Sequence, residues 1–314
     1  MGSRGAWLAG GLVLGWLADQ AFGDPRRFHP VAGFGQLASR AEQAVYADDK
    51  ARGAVYAVTL VSASAGIGVA ADKLLPASGP ARLLATAAAT WVVLGGRSLT
   101  REGSAIAASL EAGDLRAARS RVRNLVSRDP ETLDADAVAR ATVESVAENT
   151  SDAVVAPLLW GAVAGLPGLL GYRALNTLDA MVGYRNPRYR NFGWAAARLD
   201  DAANWLPARL TAGLAALAAP LVGGRPATAL RAVAEHAGQH PSPNGGVVEA
   251  AFAGALGVRL GGRNSYGGQV EDRGELGYGP APRPADVARA NRLAVAVSVG
   301  ALAVAAVWAA ARRR

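Results

Sequence analysis

Carboxylates, amides and arginines at helical spacing are the groups in this sequence equipped for chemistry. Arg140, Glu144, Glu148 and Asp152 stand at i, i+4, i+8 and i+12, so they line one helix face. Arg140 and Glu144 read as an ion pair. Glu148 and Asp152 are like charges one turn apart, which costs roughly 0.2–0.5 kcal/mol unless a cation joins them. Asp152 directly precedes an apolar run. Carboxylates at such a border suit a Mg²⁺ that keeps its waters and bridges to phosphate; a solvated acidic face fits the same spacing. Asn176 and Asp179 are i, i+3 neighbours, followed by Gly183-Tyr184-Arg185-Asn186-Pro187. An aspartate in or beside an apolar segment is costly and marks function by default. Residues 184–194 set Tyr184, Tyr189, Phe192 and Trp194 among Arg185, Arg188 and Arg190. They read either as guanidinium forks for phosphate or carboxylate, or as an interfacial aromatic belt with snorkelling arginines. Arg198, Asp200 and Asp201 come next, with Asn204 beyond. Adjacent carboxylates diverge by about 100° on a helix, so one at most faces a given site. Metal ligation and helix capping are both open to them.

Two glycine-bearing segments flank a short apolar helix. His240-Pro241-Ser242-Pro243-Asn244-Gly245-Gly246 leads into residues 247–257, with Glu249 in the first turn. Gly261-Gly262-Arg263-Asn264-Ser265-Tyr266-Gly267-Gly268 follows. A turn feeding a helix N-terminus is an anion site, and glycines let backbone approach a ligand closely. Neither segment is a Walker A loop, because no Gly-Lys-Ser/Thr occurs. Each alone reads equally as a surface turn. His29, in Gly23-Asp24-Pro25…His29-Pro30-Val31, is a base, a phosphate donor or a structural histidine. There is no cysteine, which excludes disulfides, thiolate metal sites and a cysteine nucleophile. No Ser-His-Asp or His-x₃-His pattern appears. Phosphate, carboxylate and Mg²⁺ chemistry is the class that remains.

The elements that hold these groups are apolar helices. Of the 314 residues, 51% are hydrophobic and only 18% charged, against roughly 25% charged in soluble domains. The formal charge is +8, and Lys50 and Lys73 are the only lysines. No basic stripe with interleaved stacking aromatics runs through the chain, so no nucleic-acid partner is expected. A bilayer core takes roughly 20 apolar residues per helix. Residues 153–171, 293–311 and 54–71 lack charge and read as strong spans; 6–22, 83–96 and 210–224 read as weaker ones. Residues 6–22 are expected to be a retained helix rather than a cleaved signal. The expected fold is all-α, a single membrane-embedded domain with polar helical cytoplasmic loops. A polar helical subdomain covers 97–152, and the site loops are 172–207 and 236–292. Gly113 and Asp114 read as C-cap and N-cap between two amphipathic helices of that subdomain, and Asp129-Pro130 marks another helix start. Strand signals are nearly absent. Eight arginines in 97–152 and eight in 225–292 place both on the cytoplasmic side. The five in 172–207 favour one shared cytoplasmic face, with 153–171 and 210–224 then re-entrant or buried. The prolines in those two segments are tolerable where protein surrounds the backbone.

Four stretches carry a family resemblance: GDPRRFHPV (23–31), ESVAENTSDAVVAPLLW (144–160), NTLDAMVGYRNPRYRNFGWAAARLDD (176–201) and SPNGGVVEAAFAGALGVRLGGRNSYGG (242–268). In this order they closely resemble the CobD/CbiB family of cobalamin biosynthesis. The resemblance implies an integral enzyme of the cell membrane, an adenosylcobinamide-phosphate synthase. It implies ATP-dependent acid–amine ligation of adenosylcobyric acid with (R)-1-aminopropan-2-yl phosphate, by way of an acyl phosphate, with Mg²⁺. On that match Glu144, Glu148 and Asp152 hold Mg²⁺–ATP. Asp179 with Asp200 or Asp201 completes the metal site or orients the amine, and Arg185 and Arg198 clamp phosphate. His29, Asn149, Asn176, Ser242, Asn244, Glu249, Asn264, Ser265 and Tyr266 contact phosphate or corrin. The expected partners are these substrates, membrane lipid and other membrane-bound enzymes of cobalamin assembly. A non-catalytic scaffold presenting the corrinoid is the second reading. A transporter, suggested by the proline-broken helices, is the third.

Overall fold

The computed structural model of the chain describes residues 4–25, 28–126, 130–266 and 269–312; the side chains of 263–266 and 269–271 lie outside that description. In chain order the helices are α1 (Arg4–Phe22), α2 (Pro30–Val45), α3 (Lys50–Leu74), α4 (Pro80–Val93), α5 (Gly96–Glu111), α6 (Leu115–Val122), α7 (Ala135–Thr150), α8 (Ala156–Ala164), α9 (Leu166–Val182), α10 (Trp194–Ala218), α11 (Pro226–His236), α12 (Gly245–Leu256) and α13 (Pro284–Ala311). Two antiparallel strands, β1 (Arg259–Tyr266) and β2 (Gln269–Gly277), stand between α12 and α13. Among the described residues four stretches are long and apolar enough to cross a membrane: Lys50–Leu74, Pro80–Glu111, Trp194–Val222 and Pro284–Ala311. The 25 residues of α3 rise about 37 Å against a hydrocarbon core of about 30 Å. Along it Val55, Val58 and Ile67 stand exposed, an apolar face that water does not favour.

The chain groups into two compact units. One unit is drawn from Met1–Gly95, Asp152–Asn204 and Ala301–Arg314. In it α1 and α4 approach closely because α1 presents Gly11 and Gly15 one turn apart. A methyl group at either would sit within 2.5 Å of a Thr86 or Thr90 side-chain carbon, the small-residue contact that lets apolar helices pack. Tyr56, Leu178, Val182 and Phe192 form a buried core with Ala38 and Ala57. The expected span 153–171 is not one helix. A π-turn at Ser151–Val155 precedes α8, and Gly165 (φ 67°) turns the chain into α9. Pro157 is the cause of the first break. It has no N–H for the Ala153 carbonyl, and the Gly95 N–H, 3.2 Å away, bonds that carbonyl instead.

The other unit is drawn from Gly96–Ser151 and Trp205–Gly300. The α5–α6 turn has Gly113 at φ 76°, and Asp114 accepts the Ala117 N–H at 2.9 Å. Asp129 lies outside the described residues; a short 3₁₀ turn occupies Pro130–Thr132. Every residue of α12 is buried. Asn291 of α13 donates to the Thr100 carbonyl at 3.0 Å and to Ser104 Oγ at 2.9 Å. The hairpin adds two strands to an otherwise mainly helical chain and corrects the reading of 261–266 as a loop. Its strands are rich in glycine and polar residues and carry little strand propensity. What holds them is the facing, buried pair Leu260 and Leu276, and a register shift between Gly261 and Arg263 where Gly261 and Gly262 take φ near +80°.

Candidate functional site

In the first unit the site residues gather at the turn from α9 into α10. Asn176 and Asp179 stand in the last turns of α9, and Arg198, Asp200 and Asp201 in the first turns of α10. Asp200 is buried. Its Oδ1 lies 3.5 Å from Asn176 Nδ2, and its Oδ2 accepts from Asn204 Nδ2 at 2.8 Å. Asn204 Oδ1 in turn accepts from the Tyr172 hydroxyl at 2.8 Å, and that hydroxyl lies 3.1 Å from the Asp152 carbonyl. Asp200 is thus held by a relay of amide and phenol groups. Asp179 lies close enough to interact with it electrostatically. Asp201 points elsewhere, as adjacent helical residues must: Arg198 Nη1 is 3.9 Å from its Oδ2, and Arg185 lies within electrostatic reach of it. The sequence-derived residues Asn176, Asp179, Arg185, Arg198, Asp200 and Asp201 are therefore brought together. Burial and the neighbouring Asp179 hold the Tyr184 phenol above its ordinary pKa.

The rest of the aromatic–arginine segment is structural. Phe192 is fully buried against Tyr46 and Tyr56. Arg188 donates to Glu42 at 2.8 Å and stacks on Tyr46, 4.2 Å from its ring centre. The Tyr189 hydroxyl donates to the same Glu42 oxygen at 3.0 Å. His29 caps α2, its Nδ1 accepting the Val31 N–H at 3.1 Å. Burial lowers its pKa, Asp24 opposes that shift, and Arg173 adds to it.

In the second unit Glu144 is buried, accepts the Gly261 N–H at 2.8 Å and lies 3.8 Å from Arg140 Nε. It ties α7 to the hairpin bulge. Glu148 stands on α7, and Asn149 donates to the Ser145 carbonyl at 2.9 Å. The row of carboxylates read from the sequence is interrupted, because Asp152 falls inside the π-turn. Glu249 is fully buried on α12, with His240 Nε2 3.5 Å away and Arg273 Nη1 3.8 Å away. The His240 ring accepts the Ser242 N–H at Nδ1 (3.0 Å). Ser242 Oγ accepts from Asn244 and Gly245, and Asn244 Oδ1 accepts from Arg209 at 2.8 Å. The side chains of Asn264, Ser265 and Tyr266 lie outside the described residues. Among the described residues no group of three or more His, Asp or Glu is arranged to hold a metal.

Sequence reasoning left out Tyr172, Arg173 and Arg273, and it named Asn204 without a role. Arg173 and Tyr172 follow directly on the apolar run 153–171, and an ionisable group in such a place is a functional signal. Arg273 carried no signal, since a strand partner for buried Glu249 is visible only once the hairpin is known.

Residues 12–294 match the family described as CobD/Cbib protein. The chain is 53% identical over 304 residues to the cobalamin biosynthesis protein CobD of Mycobacterium tuberculosis (strain H37Rv), covering 97% of this chain and 96% of that one. It is 46% identical over 282 residues to the protein of the same name from Rhodobacter capsulatus, covering 88% and 87%. To that of Rhizobium meliloti it is 43% identical over 274 residues, covering 83% and 84%. No solved structure matches the chain.

Proposed function

The chain belongs to the CobD/CbiB family, and on that premise we propose that it is a membrane-embedded adenosylcobinamide-phosphate synthase. Membership gives it a role in cobalamin biosynthesis. The reaction we assign is ATP-dependent amide formation between adenosylcobyric acid and (R)-1-aminopropan-2-yl phosphate. It takes place at the cell membrane, with the site on the cytoplasmic face and other membrane-bound enzymes of cobalamin assembly as neighbours.

One observation carries the reading: Asp200 is buried where α9 turns into α10 and is held by Asn176 and Asn204, with Arg198 Nη1 3.9 Å from the adjacent Asp201. An arginine beside carboxylates suits a reaction whose substrates carry an anionic phosphate and an amine. The corrin carboxylate attacks the γ-phosphorus of ATP and ADP leaves. The bound ammonium first gives one proton to water; the freed amine nitrogen then attacks the acyl carbon, inorganic phosphate leaves, and the nitrogen gives up a second proton. In this reading Arg185 and Arg198 bind phosphate oxygens through guanidinium forks and stabilise charge as it develops. Asp179 and Asp200 hold the ammonium end of the amine. Asp201 sets the two arginines, and Asn176 steadies Asp200.

Carboxylate oxygens are the donors Mg²⁺ takes, and Mg²⁺ usually binds through one or two of them plus phosphate and water. Asp179 and Asp200 would offer such donors as the alternative to holding the amine. When bound, the ion neutralises phosphate charge. Glu144, engaged by Gly261, is a positioning residue here. In the first unit a corrin or phosphate contact falls to His29, and in the second unit such contacts fall to Asn149, Ser242 and Asn244; Glu249 is fully buried beside His240 and Arg273 and is a structural residue. The test uses detergent-solubilised protein with both substrates, ATP and Mg²⁺, and mass spectrometry of the corrinoid. Amide that appears only with ATP supports the ligase. Bound corrinoid with no amide overturns it in favour of a scaffold.

A further inference from the structure

Arginines collect at the end of the first unit where α1 begins. A cavity of about 610 Å³ there is lined by Arg4, Asp72, Arg82 and Arg312, with the α8–α9 turn at Gly165. Among the described residues Asp72 is the one carboxylate lining it, and it serves two of the arginines. It lies 2.5 Å from Arg82 Nη1 and 3.6 Å from Arg4 Nη2. Arg82 also donates to the Pro76 carbonyl at 2.9 Å and the Asp72 carbonyl at 3.0 Å. Arg312 donates through Nη1 to the carbonyls of Ala162 and Val163, a helix C-terminus without a carboxylate. Among the described residues three guanidinium groups thus line the cavity with one carboxylate, and the cavity complements an anion.

A second, apolar groove of about 870 Å³ is lined by Val163, Ala303, Val304, Val307 and Trp308, and it ends on the same Arg312. Val307 and Trp308 are exposed. Trp308 stands one turn before Arg312, the pairing found at a membrane–water interface. The two cavities are of ligand size. They share one arginine, so a charged head and an apolar tail fit them together. The place also suits a lipid. Asp72 stands in the last turn of α3 and Arg312 directly follows α13, both long and apolar enough to cross a membrane, so in a chain that spans through them the cavity lies at headgroup depth.

We propose that this end of the first unit binds one anionic phospholipid of the bilayer, its phosphate among Arg4, Arg82 and Arg312 and an acyl chain along the Val163–Trp308 groove. The inference rests on the membrane reading above. That reading puts this end on the non-cytoplasmic side, where arginines are otherwise disfavoured, and a lipid phosphate balances them.

The test is native mass spectrometry of the full chain exchanged into detergent with equal phosphatidylglycerol and phosphatidylcholine. Wild type is expected to retain phosphatidylglycerol. Arg4→Ala and Arg312→Ala are each expected to weaken retention about five-fold, Trp308→Ala to weaken both lipids alike, and Arg116→Ala to change nothing. Arg312→Gln carries the same comparison where an alanine variant loses its cooperative thermal transition. Equal retention of the two lipids, or unchanged retention in both arginine variants, overturns the proposal. Displacement of the lipid by millimolar inorganic phosphate overturns the lipid in favour of a free anion. Carbonate extraction of native membranes separates the premise: protein released to the supernatant defeats the membrane reading itself, whereas protein in the pellet that retains no lipid defeats this site alone.

Discussion

Tyr172→Phe removes one hydroxyl from the relay that holds Asp200. The hydroxyl donates to Asn204 Oδ1 at 2.8 Å, and Asn204 donates to Asp200 Oδ2 at 2.8 Å. Tyr172 and Asn204 are both buried, so water does not readily replace the lost donor. A satisfied hydrogen bond contributes about 0.5–1.5 kcal/mol net, but a buried acceptor stripped of its partner costs about 1–3 kcal/mol. The second figure applies here. The expected loss of stability is therefore about 1–3 kcal/mol by the same reasoning, read as a lower thermal midpoint in detergent. If the relay also orients Asp200 during turnover, the same free energy enters the barrier. At about 1.4 kcal/mol per decade, kcat falls roughly five- to 100-fold while KM for the corrinoid stays within a few-fold. The assay is amide formation under saturating ATP, paired with Asn204→Ala and the double variant. Groups sharing one network couple by about 0.5–3 kcal/mol, so the double variant is expected to lose less than the two singles together. A Tyr172→Phe protein with unchanged midpoint and unchanged kcat would refute the relay.

Gly183→Ala places a methyl carbon 1.9 Å from Asp179 Oδ1, which forces that carboxylate to move; amide formation is expected to drop at least ten-fold, about 1.4 kcal/mol, in protein that still folds. Glu144→Gln keeps an acceptor for the Gly261 N–H and Glu144→Ala does not, so alanine is expected to lower the thermal midpoint by about 1–3 kcal/mol more than glutamine. For His29, burial lowers the folded pKa below the ordinary value of 6.5. Below pH 6.5 the unfolded chain therefore takes up a proton that the folded chain refuses, and stability falls with pH until the folded pKa is passed. His29→Asn keeps a capping oxygen and removes the titration, so its midpoint is expected to stay flatter than wild type between about pH 7 and 5.5; parallel curves would count against the burial argument.

The sequence made the helices legible because their signals are local. The cap at Asp114 follows from one residue type after Gly113, and the long apolar runs of α3 and α13 need no neighbours to identify them. The α9–α10 cluster was legible because Asn176, Asp179, Arg185, Arg198, Asp200 and Asp201 lie within 26 residues of each other, on two helices joined by a short turn. The hairpin was hidden. Its strands carry little β propensity, and the hint was the Gly267-Gly268 pair between two eight- or nine-residue segments. With the hairpin unseen, two long-range contacts were out of reach: Gly261 with Glu144, 117 positions apart, and Arg273 with Glu249. The relay through Tyr172 was missed for the opposite reason. A phenol beside an apolar run reads as core until its hydroxyl is seen to meet an amide.

The prolines connect the fold to the site. Each removes a helical N–H and leaves a carbonyl four residues back. In an apolar surround that carbonyl needs another donor. Pro157 frees the Ala153 carbonyl, and Gly95 supplies the N–H at 3.2 Å. Pro207 lies inside α10 and frees the Ala203 carbonyl, to which the Trp160 indole donates at 3.1 Å. Both repairs sit within a few residues of site groups: the first beside Asp152 in the π-turn, the second beside Asn204 and Asp200. The broken helix is thus what lets Asp152 and Tyr172 meet, because a regular helix through 153–171 would carry Asp152 and the start of α9 apart along one axis at about 1.5 Å per residue. Gly165 reverses the chain instead. The same residues that disqualify 153–171 as a single membrane span therefore bring the Asp152 carbonyl to the hydroxyl that holds Asn204 and, through it, Asp200.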